Sequence, residues 1–221
     1  ELSGWPLYTI VNGEIAFDSY ADHRVAPIAI PERYRLIPRF GSDGEATVKR
    51  RLRGEWQPIP QTTFLDKSIS YEQSTYVVPM EKDPLPNSNG WLFERAACVA
   101  EYRIANSGVE PARYSLNLSL VGKGTGGGLE SIELRSVADG LVLASTGARL
   151  LALIDLRSLS ETEIESTSDG LRVEGELPGG ASVNCFAYLP AWDVTPNDYA
   201  ALLIEENLIQ KCEEYWNKVT E

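Results

Sequence analysis

Tyr114, Leu116, Leu118 and Leu120 alternate with Ser115, Asn117 and Ser119. A period of two puts every apolar side chain on one face of an extended chain, which marks an antiparallel strand with one buried side. A helix would scatter the same residues around its axis. Comparable β-branched, aromatic or alternating stretches occupy residues 46–52, 68–78, 96–105, 140–145, 148–156, 161–166, 171–177 and 181–189. Turn-forming residues separate them: Asn12-Gly13 inside 6–17, a Pro- and Asn-rich loop over 83–90, Asn106 through Pro111, Asp169-Gly170 and Pro178-Gly179-Gly180. Ten or more such strands predict a mainly β fold over residues 1–194, a large antiparallel two-sheet β-sandwich. No repeat of fixed period is present, which argues against a propeller or solenoid.

The period then changes. Thr195-Pro196-Asn197-Asp198 has the form of a helix start, with Thr as cap, Pro in the first turn and an acid close behind. Beyond it Tyr199, Leu202, Leu203, Leu208, Ile209, Cys212, Trp216 and Val219 recur at three- and four-residue spacing. A helix from about Asp198 to Glu221 is predicted. It carries an apolar stripe that needs a partner, and it lacks a Gly or Pro terminator. Residues 195–221 thus read as a linker helix leading to a missing further domain.

Charge narrows the partners. Lys and Arg number 20 against 32 Asp and Glu, a formal net charge of −12. Such a field repels phosphate backbones and anionic lipid, so neither nucleic acid nor a membrane is an expected partner. The basic cluster Lys49, Arg50, Arg51 and Arg53 reads as a solvated strand edge. No apolar run approaches the roughly 20 residues that cross a bilayer as a helix. Hydrophobic residues at 43% and charged residues at 24% are ordinary globular values, so a core of normal size can form.

Reactive chemistry is sparse. Cys98, Cys185 and Cys212 lie in separate apolar runs and read as buried free thiols. The single histidine, His23, sits in a polar turn-like stretch, and no ligand spacing for zinc occurs; neither a metal nor a cofactor is implied. The glycine-rich run 122–128 places Lys123 ahead of most of its glycines and leads into an alternating segment (129–134), unlike a phosphate loop opening a helix. Asn117-Leu118-Ser119 matches a glycosylation triplet but falls in the middle of a strand. Acid pairs such as Asp18 with Asp22, Glu94 with Glu101, and Glu161 with Glu163 and Glu165 fit solvated faces in so acidic a chain. Five tryptophans are more informative. Trp216 belongs to the helix stripe, and Trp5 lies near Pro6. Trp56, Trp91 and Trp192 also lie near Pro or Gly at strand ends, where they either cap the core or offer flat apolar rings to a sugar. Those three are the candidate carbohydrate contacts.

Three stretches carry a family resemblance. The first is Gly54-Glu55-Trp56-Gln57-Pro58-Ile59-Pro60 followed by Ile69-Ser70-Tyr71-Glu72-Gln73-Ser74-Thr75-Tyr76. The second is Val99-Ala100-Glu101-Tyr102-Arg103-Ile104-Ala105-Asn106-Ser107-Gly108 with Pro111 after it. The third runs from Tyr199 to Glu214-Tyr215-Trp216. Together they resemble the N-terminal β-sandwich ("supersandwich", galactose mutarotase-like) domain of glycoside hydrolases and phosphorylases with an (α/α)6 catalytic barrel, such as bacterial glucoamylases and maltose phosphorylases. In that family the catalytic acids lie in the barrel, and no catalytic residue carries over to this chain. The resemblance implies a non-catalytic accessory domain that supports or shapes an active site on an (α/α)6 domain of the same polypeptide, with carbohydrate as a candidate ligand. A free carbohydrate-binding module or an adhesion-type sandwich is the alternative expectation.

Overall fold

The computed structural model describes residues 8–11, 14–17, 34–41, 47–79, 96–122, 131–147, 149–159, 162–167, 170–190, 192, 194–203 and 208–219. Within them the alternating segments form two antiparallel sheets. The smaller has six strands: β1 (Tyr8–Val11), β2 (Glu14–Phe17), β3 (Tyr34–Phe40), β8 (Ala112–Gly122), β13 (Gly170–Leu177) and β12 (Glu163–Thr167), in that spatial order. The larger has eight, in the order β4 (Thr47–Leu52), β5 (Pro60–Asp66), β6 (Ile69–Pro79), β7 (Ala96–Asn106), β14 (Ser182–Pro190), β11 (Arg149–Asp155), β10 (Leu141–Thr146) and β9 (Glu133–Ala138). The architecture is a large two-sheet sandwich, as the periodicity requires.

The core between the sheets follows from the alternation. Leu116, Leu118 and Leu120 of β8, with Leu36 and Val173 from its neighbours, face Tyr71, Cys98, Ala100, Tyr102, Ile104, Cys185 and Ala187 of the large sheet. Phe40 of β3 bridges the layers, its ring 4.6 Å from Phe64, 5.3 Å from Tyr71 and 6.0 Å from Tyr102. All three cysteines are free and buried.

Asn106 ties the sheets together at one end. Its side-chain amide donates to the carbonyls of Glu110, at 2.8 Å, and Leu177, at 2.9 Å, and its Oδ1 accepts from Gly108 N–H at 2.9 Å. The β7–β8 crossover is thereby pinned to the β13–β14 turn. Gly179 of that turn packs so close that an added Cβ would lie 2.3 Å from the Val109 carbonyl oxygen, so only glycine fits.

Two strands escaped the sequence pattern. β3 contains Pro38, which argues against a central strand. The structure resolves this by geometry: β2 pairs only with Tyr34, Arg35 and Leu36, so Pro38 lies beyond its neighbour's end and still pairs with Leu118 on the other side. β5 opens on Pro60, an allowed first position, opposite Leu52. The predicted strand over 129–134 instead falls at Glu133–Ala138. The basic cluster does lie on the edge strand β4 and the turn after it, with Lys49, Arg50 and Arg51 exposed.

The C-terminal region departs from a continuous helix starting at Asp198. Tyr199–Leu202 form a single 3-10 turn, Leu203 is no longer helical, with φ −85° and ψ 64°, and the α-helix, α1, spans Leu208–Val219. Thr195 explains the difference: its hydroxyl bonds the Asp198 carboxylate at 2.6 Å, and its carbonyl accepts from Asp198 N–H at 3.0 Å. The cap-like motif closes a tight turn instead of starting the helix. The apolar stripe nevertheless finds a partner, because the segment folds back on the outer face of the large sheet. Leu202, Leu208 and Cys212 are buried there with Tyr76, Val78, Val99, Leu143, Leu153 and Tyr188. Val194 joins by backbone, its carbonyl accepting from Leu150 N–H at 2.8 Å.

Candidate functional site

The outer face of the large sheet is divided, and the division is written in β7. Residues 96–100 are buried on both sides; from Glu101 onward burial alternates, with Glu101 half-buried and Arg103 exposed. The C-terminal segment covers the first half. The uncovered half is a polar groove of about 460 Å3 beside α1, with Arg53, Glu72, Ser74, Glu101, Arg103 and Asn184 among its walls.

Cross-strand register assembles it. Gln61, Ser74, Glu101 and Phe186 are consecutive partners across β5, β6, β7 and β14, while Thr63, Glu72, Arg103 and Asn184 form the next outward-facing row. A sheet face therefore gathers residues that are 120 or more positions apart in sequence, as Thr63 and Asn184 are. Within the first row Arg51 Nε donates to Gln61 Oε1 at 3.0 Å, and Gln61 Nε2 donates to Ser74 Oγ at 3.0 Å. Arg51 also reaches Glu72, Nη2 to Oε2, at 3.4 Å. At the helix side Arg53 pairs with Glu213, and Gln57 Nε2 donates to Asn217 Oδ1 at 2.9 Å. These two contacts latch the β4–β5 turn onto α1.

Glu101 differs from its neighbours. Desolvation by burial raises its pKa above the usual glutamate value; Arg53 and Arg103 oppose the shift, and the nearby charges of Glu72 and Glu213 add to it. Arg51 pairs with Glu72 and Arg53 with Glu213, so both of those acids already have a cationic partner. The thiols are unsuited to nucleophilic work: burial pushes Cys185 and Cys212 up to about 12 and Cys98 higher still. Among the described residues no group of three or more His, Cys, Asp or Glu gathers as a metal site would require.

A second cleft, about 390 Å3, opens at one end of the sandwich near Gly41, Asp66, Lys67, Tyr71, Arg113 and Glu174. Its polar groups serve the fold. Tyr71 OH accepts from Ser115 N–H at 3.1 Å, and Glu174 receives Ser115 Oγ at 3.4 Å and Arg172 Nε at 3.4 Å.

The three candidate tryptophans have different surroundings. Trp56 follows the short 3-10 turn between β4 and β5 and is 44% exposed. Trp192 is partly buried against the outer-face cluster, and Trp91 lies outside the described residues. Trp216, assigned to the helix stripe, packs on the same cluster, edge-on to Tyr215 at 5.1 Å. Of the acid pairs, only Glu101, Glu163 and Glu165 are described; the last two lie exposed on the edge strand β12. His23 and residues 123–130, most of the glycine-rich run included, lie outside the described residues. Sequence reasoning paired Glu101 with Glu94 and passed over Glu72, Arg103 and Asn184. Period-two alternation after Ala100 was the available signal, since it puts Glu101 and Arg103 on one face.

No protein-family model matches this chain, and no curated protein matches it in sequence.

Proposed function

We propose that this chain is a non-catalytic accessory β-sandwich domain of a carbohydrate-active enzyme, supporting or shaping an active site carried by an (α/α)6 domain of the same polypeptide. One observation carries the reading. The outer face of the large sheet is half sealed by the chain's own C-terminal segment and half left as a polar groove whose acids, Glu101 aside, are held by arginines. Such a surface can hydrogen-bond hydroxyl groups, and among the described residues it brings together no two carboxylates that both lack an arginine partner. The sequence resemblance supplies the enzyme class.

The test is an assay of the purified chain for glycosidase and phosphorylase activity on α- and β-linked glucosides. No turnover is expected. Turnover abolished by Glu101→Gln, or by neutralising any other acid of this chain, would overturn the proposal. The exposed indole of Trp56 favours a second reading, a free-standing carbohydrate-binding module. Glycan-array binding lost in Trp56→Ala with the fold intact would support that reading over the first.

A further inference from the structure

We infer that the outer-face groove is itself a binding site for a neutral oligosaccharide of two or three rings, with Glu101 and Arg103 as its principal hydrogen-bonding groups. The inference deepens the carbohydrate part of the reading above and rests on it for the ligand class.

Three features of the groove set the chemistry. Its charges balance: Arg53 and Arg103 stand against Glu72 and Glu101. Anionic and cationic ligands each meet as much repulsion as attraction there, while a hydroxyl, which both donates and accepts, can satisfy a carboxylate and a guanidinium together. Next, the hydrogen-bonding capacity of the groove is unevenly used. Arg51, Gln61 and Ser74 bond one another, Glu72 meets Arg51, and Arg53 meets Glu213. Glu101 and Arg103, two residues apart on β7 and on the same face, take part in no ion pair or hydrogen bond of the described residues. A half-buried carboxylate with no hydrogen-bond donor among the described residues is costly to the fold, which gives a ligand hydroxyl something to gain. Finally, Val183 of β14 and Ile209 of α1 line the same groove and give it an apolar border. The apolar face of a sugar ring can pack there while its hydroxyls reach the acid and the guanidinium. The volume, about 460 Å3, falls in the usual small-molecule range of about 300–1,000 Å3.

The experiment is titration calorimetry of the full chain with maltotriose and cellotriose, with inorganic phosphate, trigalacturonate and chitosan trimer as charged comparators. The expected result is millimolar or tighter binding of at least one neutral trisaccharide, stronger than any charged probe. Glu101→Gln and Arg103→Ala should each weaken it about tenfold or more, and Glu174→Gln in the other cleft should leave it unchanged. Circular dichroism confirms that the variants are folded. The inference is overturned if neither neutral sugar binds at about 10 mM, if a charged probe binds more tightly, or if the groove variants bind as well as the parent. Failure here leaves a non-catalytic supporting role standing. Hydrolysis of the bound sugar would instead overturn that role while the ligand assignment survived.

Discussion

Single side chains decide two properties of this molecule. Asn106 is 1% exposed and its amide serves two carbonyls and one N–H from two segments, the β7–β8 turn and the end of β13. Asn106→Ala strands the buried Leu177 carbonyl and unpairs two partly buried groups of the β7–β8 turn, and the expected loss is about 2–3 kcal/mol by chemical denaturation. Asn106→Asp should cost at least as much, because a carboxylate would then face two carbonyl oxygens. Glu101 governs a pH effect of definite sign. Its native pKa is raised, chiefly by burial, so between the ordinary glutamate range and the raised value the native state binds the proton more tightly than the unfolded chain. Stability contributed by this group is therefore present at acid pH and lost as pH rises through the native pKa. Glu101→Gln is expected to raise Tm at pH 7, with the gain shrinking toward pH 4. A gain that grows on acidification would contradict the assignment.

At the scale of elements, the C-terminal segment behaves as a cover anchored at few points. Leu202 is a fully buried anchor of that cover, and Leu202→Ala is expected to cost about 2–4 kcal/mol. Hydrogen exchange should show α1 and the Leu150 N–H deprotected together, since α1 and Val194, whose carbonyl holds that N–H, belong to the same cover. Breaking the latch is milder: Glu213→Ala removes a partly exposed ion pair worth about 1 kcal/mol. The elements also differ in how legible they were. β8 announced itself because one face is wet along its whole length and the alternation is unbroken. β3 did not, because the tolerance for Pro38 depends on where β2 ends, a fact about the neighbour. The Thr195–Asp198 motif misled because a capping box and a closed turn use the same side chains. The runs 96–100, 141–144 and 150–154 are apolar without alternation, and this marks strands covered on both sides. The groove begins where that run ends in β7. Its membership could not be read from the sequence, since Glu72, Glu101 and Asn184 meet through register alone.

Across the whole molecule, burial controls reactivity. The three cysteines are inaccessible and their thiols are held in the neutral form. A thiol-specific chromogenic reagent is expected to label none in the native protein and all three in denaturant. Rapid labelling of Cys212 alone would show that α1 opens readily. The order in which the layers are encoded has a further effect. Every strand of the large sheet precedes residue 191, and the cover of its apolar outer face comes only afterwards, from Val194 to Trp216. On the ribosome the sheet can therefore assemble before its lid has emerged from the exit tunnel. For that interval, tens of seconds or less at roughly 5–20 residues per second, the nascent chain carries a bare hydrophobic surface. Translation of the codons for residues 191–219 is thus the period in which a chaperone has the most to shield, and a stop just before them would release a finished sandwich with an adhesive side.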